Sequence, residues 1–220
     1  MTRHSYDECY LQDVRCNLGD MFEYAVCDCG LDIDLYFGAF VSCGMAARLE
    51  VGDPRFAGGY SGFELAELVV RTANLLEGEP PEPTKGSGRT PEYWCGWILA
   101  YYQWLRCERF SNLAMDGLTP SRVLSMYVLH EADESKFVEE ADALLSKSRR
   151  SRPSRLQTMR KNRQLTQEQL ATMSDVSLRM VQLYEQRRND ISKAEFGTVL
   201  ALSHALGCEP EALVEPPIYV

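Results

Sequence analysis

The apolar residues of this 220-residue chain recur every three or four positions almost from end to end, and no stretch alternates apolar with polar as a strand would. A helical period sustained over so much sequence restricts the chain to all-α architectures, in which each amphipathic helix buries one stripe. Tyr10, Leu11, Val14, Leu18, Met21, Phe22, Ala25 and Val26 predict a helix within Tyr6–Cys29, with Gly30 just past its end. Asp32 to Glu50 reads as a second helix. Ser61-Gly62-Phe63-Glu64 has the form of a capping box and opens a third, running through Leu76. Residues 77 to 91 are a loop, because prolines recur there. Thr90 as N-cap and Pro91 at the first helical position start the next helix. It carries Trp94, Trp97, Ile98, Tyr101, Trp104 and Leu105 at spacings of three and four, a stripe that predicts core; a ligand box is the alternative. Shorter helices are expected near Asn112–Met115, Pro120–Leu129 and Asp133–Ser146.

Charge divides the chain. Residues 1 to 146 hold 11 Lys/Arg against 24 Asp/Glu, a net of −13, whereas residues 147 to 220 hold 12 against 8, a net of +4. Between them, Ser146 to Ser154 is rich in Ser and Arg and lacks apolar residues, so it reads as a boundary. The expected organisation is an acidic all-helical domain over 1–146, a basic linker over 147–153 and a second helical domain over 154–220. Any contact with phosphate belongs to the basic part.

Several function classes find no support. Gly-x-Ser-x-Gly does not occur, and His130-Glu131-Ala132-Asp133-Glu134 lacks the second histidine of a helical zinc-protease motif. Gly86-Ser87-Gly88 lies in a proline-rich loop rather than between a strand and a helix. The eight cysteines include no Cys-x-x-Cys pair, and six of them fall in helical patterns where a reduced thiol acts as a small hydrophobe. No catalytic residue, metal or cofactor is expected. Met1-Thr2-Arg3-His4 does not begin a secretory signal, and Leu35–Ala47 is too short to span a bilayer, so a cytoplasmic protein without a membrane partner is expected.

The last third carries a denser pattern. Leu156–Asn162 is a short basic helix, and Thr166 with Gln169 forms a capping box for the next. Met173-Ser174-Asp175-Val176 turns into a helix N-capped by Ser177 and ending near Gln186. Ser192 and Glu195 suggest another capping box, for a helix with Phe196, Val199, Leu200, Ser203 and Leu206 on one side, stopped by Gly207. A final short turn runs from Glu209 to Val214.

This series, with Leu165-Thr166-Gln167-Glu168-Gln169-Leu170-Ala171, then Val176-Ser177, then Tyr184-Glu185-Gln186-Arg187-Arg188, then Ala205-Leu206-Gly207, resembles the phage-repressor (Xre, or lambda-repressor-like) helix-turn-helix family over about residues 154–215. The resemblance implies a five-helix DNA-binding domain. Thr166 and Gln167 stand at a helix N-terminus, where backbone donors and the dipole favour phosphate, and both are DNA-binding candidates; the resemblance makes Gln167 a phosphate contact. It brings Ser177, Leu178, Arg179, Gln182 and Leu183 to base edges in the major groove and sets Arg187 and Arg188 against the backbone. It also implies a buried ion pair between Arg160 and Glu185. Leu170, Val181 and Tyr184 are core candidates, with Ala171 small where two helices cross. The chain departs from the family in the greasy Leu178, Met180 and Leu183, and in Asp175 and Arg187, which stand where glycine is common.

The expected function is a sequence-specific DNA-binding transcriptional regulator, a repressor acting as a homodimer on double-stranded DNA. The alternative is an antitoxin-like protein whose acidic domain binds a protein partner while the basic domain autoregulates the operon. For the acidic domain, partner binding, small-molecule sensing and dimerisation all remain open.

Overall fold

The computed structural model describes residues 4–84 and 89–215, which form two compact units, Met1–Leu145 and Ser146–Val220. Every regular element among the described residues is helical, as the period required. Gly86-Ser87-Gly88 lies outside the described residues.

In the first unit Asp7 caps a short 3-10 turn, accepting from the Cys9 amide at 2.9 Å, and the chain enters α1 (Leu11–Glu23). Its last turn widens into a π-helical turn, Tyr24–Asp28, before Gly30 ends it. The expected helix over 32–50 is two helices, α2 (Ile33–Ser42) and α3 (Met45–Glu50), because Gly44 adopts φ 83° between them. After α4 (Pro54–Ala57), the capping box at Ser61 and Glu64 forms in both directions and starts α5 (Gly62–Thr72). Thr90 accepts from the Tyr93 amide and opens α6 (Pro91–Arg106). The first unit continues through α7 (Phe110–Met115), α8 (Pro120–Leu124) and a 3-10 turn, Tyr127–Glu131. Then α9 (Glu134–Ser151) runs on past Ser146, so residues 147–151, expected as linker, are helical. Ser, Lys and Arg tolerate a helix; the stop comes just ahead of Pro153, where the residue before proline is pushed out of the α region.

α1 is the centre of the first unit and packs on α5 and α6. The approach to α6 is close enough to demand glycine: a Cβ on Gly96 would lie 2.1 Å from the Leu18 carbonyl oxygen. Leu18, Met21, Phe22, Tyr36, Phe40, Leu65, Ile98 and Tyr102 are among the buried side chains of this core. The stripe on α6 is only partly core. Ile98 and Trp104 are buried, but Trp94, Trp97, Tyr101 and Leu105 are half-buried, and Cys95, Leu99 and Tyr102 lie deeper. None of the eight cysteines is in a disulfide, and Cys9, Cys27 and Cys107 are exposed rather than buried.

The second unit contains α10 (Arg155–Asn162), α11 (Gln167–Ser174), α12 (Leu178–Glu185), a 3-10 turn Ile191–Lys193, α13 (Phe196–Leu206) and a last 3-10 turn Pro210–Leu213. Leu156, Leu170, Val181, Ile191, Leu202, Leu206 and Leu213 fill its own core. The capping box expected at Ser192 and Glu195 does not form. Asp190 takes both the amide and the hydroxyl of Ser192, at 2.9 and 2.7 Å, and α13 starts at Phe196 with no side-chain cap. No helix among the described residues is long and apolar enough to cross a membrane.

Candidate nucleic-acid interface

Two helix starts and one helix face build the candidate interface. At the first start, the Thr166 hydroxyl accepts from the Gln169 amide at 3.1 Å, and the Gln169 side chain accepts from the Thr166 amide at 2.8 Å. This reciprocal cap satisfies two of the donors that a helix N-terminus leaves over; the others stay available to an anion. Thr166 is exposed and Gln167 half-exposed.

The turn from α11 into α12 depends on one residue. Asp175 adopts φ 54°, and the Val176 amide donates to the Ala171 carbonyl at 3.2 Å, closing the helix end. The left-handed conformation is costly for most L-residues and less so for Asp. Ser177 then caps α12 through the Met180 amide at 3.3 Å.

α12 sorts its side chains by face. Val181, Tyr184 and Glu185 are buried, and Leu178 and Met180 pack partly against the same core. Ser177, Arg179 and Gln186 are exposed, with Gln182 and Leu183 half-exposed. Positions 179, 182, 183 and 186 share one side of a 3.6-residue helix. The Arg188 amide donates to the Leu183 carbonyl at 2.9 Å, but neither the Arg179 nor the Arg188 guanidinium has a hydrogen-bond or ion-pair partner among the described residues, and both residues are exposed. Leu178, expected at base edges, is half-buried against the domain core instead.

A polar cluster behind this face fixes its orientation. Arg160 Nε and Nη2 donate to the two Glu185 carboxylate oxygens at 2.6 and 3.0 Å, and Arg160 Nη1 donates to the Leu165 carbonyl at 2.6 Å. The Gln167 amide nitrogen donates to the same carboxylate at 2.7 Å. The Glu185 side chain is 1% exposed and that of Arg160 10%. The bonds to Glu185 push the Arg160 guanidinium pKa up, which keeps an always-charged group charged. Glu185 stands at the end of α12, where the helix dipole disfavours a carboxylate, so the arginine is needed. The cluster joins the last turn of α10, the first residue of α11 and the last residue of α12.

Arg187 departs from the sequence expectation. It has φ 53°, and its guanidinium donates to the carbonyls of Arg152 and Pro153 at 2.7 and 3.1 Å and pairs with Glu215 at 3.3 Å. Its Nη1 and Nη2 are taken by these partners, and its Nε is buried with no hydrogen-bond partner. Arg187 ties the chain entering α10 to the segment after the last turn. Sequence reading also missed Asn189 and Lys193, which with Arg188 line a cleft of about 740 Å³ just past α12. Asp190 and Glu195 line it as well, so its charge is mixed. The signal for Lys193 was present in the basic count, but it was absorbed into a capping box that does not form.

Among the described residues no group of three or more His, Cys, Asp or Glu is placed to hold a metal ion. Residues 156–213 match the family model described as Helix-turn-helix, which spans α10 through the last 3-10 turn. The second unit therefore contains a helix-turn-helix over residues 156–213, which supports DNA binding, and the first unit carries no family assignment. Neither the comparison with curated proteins nor that with solved structures returned a match.

Proposed function

We propose that this chain is a sequence-specific transcriptional repressor that lays the exposed face of α12 in the major groove of double-stranded DNA. The reading is carried by the unpaired Arg179 on that face, flanked by Ser177, Gln182 and Leu183. An exposed arginine without an internal partner is free to bond the O6 and N7 of a guanine, the commonest specific contact. Gln182 suits an adenine and Leu183 a thymine methyl. Thr166 and Gln167 take a phosphate at the α11 N-terminus, where Gln167 has a second amide hydrogen beyond the one given to Glu185. Arg188 takes the neighbouring backbone. The chain acts as a homodimer, since domains of this kind read two half-sites about one helical turn apart.

The test is a salt series of binding to the DNA upstream of the chain's own gene, against scrambled duplex. Selective binding with a steep salt dependence is the expected result. Equal affinity for both duplexes removes the sequence-reading role of α12. A transcription assay on the same promoter then separates repression from activation.

A further inference from the structure

The strongest unassigned feature lies in the first unit, far in sequence from the helix-turn-helix. A cavity of about 570 Å³, within the range of small-molecule sites, opens beside the half-buried face of α6. Its walls are aromatic. Trp94 meets Tyr127 edge-on at 5.5 Å and Phe137 at 5.8 Å between ring centres, and the Tyr127 ring stacks on His130 at 4.2 Å. Tyr93 and Trp97 complete the aromatic lining.

Three observations give this cavity a charge preference. The chain's own cations already sit on two of the lining rings: the Arg15 guanidinium lies 3.3 Å from the Trp97 ring centre and that of Arg89 4.2 Å from Tyr93. Asp133 and Glu134 also line it; Glu134 pairs with the Arg15 guanidinium, which leaves Asp133 as the carboxylate open to a ligand. Asp133 accepts from the Ser135 amide at 2.9 Å, and its pKa is held below the usual carboxylate range by the bonds to Ser135, so it is ionised at neutral pH. Residues 1 to 146 carry a net charge of −13, so the surrounding field draws in positive ligands. Among the described lining residues Arg89 is the one Lys or Arg, while Arg15 reaches the site through Trp97 and Glu134.

We propose that this cavity binds a flat organic cation, an aromatic or polycyclic body bearing a permanent or protonated nitrogen. The rings take the positive body face-on and the Asp133 carboxylate neutralises it at the rim. This site is independent of the DNA reading and its failure would leave that reading untouched.

The test uses the full-length protein without DNA and berberine as the probe, a flat cation whose emission rises in an apolar site. 8-Anilinonaphthalene-1-sulfonate, of similar size and opposite charge, is the control. Saturable binding of one berberine per chain is expected, with the anion about tenfold weaker or more. Trp94→Leu should weaken berberine by about tenfold or more, and Asp133→Asn by about threefold or more. Asn at 133 can still accept from the Ser135 amide, so this variant reads the site even if Trp94→Leu does not fold. Absence of saturable binding overturns the proposal. So does equal affinity for the anion, which would mark a merely greasy surface, or unchanged affinity in folded Trp94→Leu or in Asp133→Asn.

Discussion

Replacing Glu185 by Met is the sharpest perturbation of the second unit. The carboxylate accepts two bonds from Arg160 and one from Gln167 while 1% exposed, so its removal strands a guanidinium whose side chain is 10% exposed. Breaking one partner of such a buried pair costs about 3–5 kcal/mol. The unit Ser146–Val220 is small, and at roughly 0.05–0.15 kcal/mol per residue its total stability is on the order of 4–11 kcal/mol. The single variant therefore removes a large part of the margin, and its unfolding midpoint should fall by on the order of 15–30 °C. Arg160→Met should cost a similar amount by burying an unpaired carboxylate. The double variant should lose far less than the sum, since it leaves only the Leu165 carbonyl and the Gln167 amide to satisfy; a coupling of about 2 kcal/mol or more is expected. Urea melts of the full chain resolve this cleanly. Trp94, Trp97 and Trp104 all lie in the first unit, so tryptophan emission follows that unit while far-UV circular dichroism follows both. The variants should shift a dichroism transition and leave the tryptophan transition in place. Single variants costing under about 1 kcal/mol, or additive costs, would refute the argument that the pair is a buried, mutually dependent unit.

Arg179→Ala should cost about 1–3 kcal/mol on a specific site and little on scrambled DNA, whereas Arg188→Ala should weaken all duplexes alike and reduce the salt slope by about one; anisotropy titrations distinguish them. Asp175→Gly should be neutral or stabilising by up to about 1 kcal/mol, because the left-handed turn no longer strains an L-residue, while Asp175→Val should destabilise; thermal melts by dichroism report both. Gly96→Ala should cost about 1–3 kcal/mol or more in the tryptophan-monitored melt, since its Cβ would press on the Leu18 carbonyl of α1 and neither backbone can yield locally. Burial raises the Glu50 carboxyl pKa despite a 2.7 Å bond from the Phe110 amide. Its folded pKa lies above the unfolded one, so the ionised group detracts from stability as pH rises through that window; Glu50→Gln should raise the first unit's melting midpoint at pH 7, and the gain should vanish at a pH below the unfolded carboxyl value of about 4.3.

Much of the second unit was legible because its signals are local. Thr166 with Gln169 and Ser177 cap their helices as their spacing implied, and Leu170, Val181 and Tyr184 are buried on the faces their period assigned. The ordered string from Leu165 to Gly207 carries enough of these signals to mark the helix-turn-helix. Arg160 and Glu185 meet, although their pairing came from resemblance and not from any rule about charges 25 residues apart. Reading failed where a residue had two local uses. Ser192 went to Asp190 instead of Glu195.

The amino-acid order alone determined an all-helical chain, an acidic part ahead of a basic one, and a helix-turn-helix near its end, since period, caps and charge counts act within a turn or two. Folding in three dimensions decided which arginines are free. Arg179 and Arg187 differ little in type, yet one stands on an open face while the other is held by Arg152, Pro153 and Glu215, partners about 30 positions away. It likewise decided that α6 turns half of its aromatic stripe toward a cavity rather than the core. That outcome rests on α1 pressing against Gly96 from the other side, a contact between distant segments that no pattern within α6 encodes.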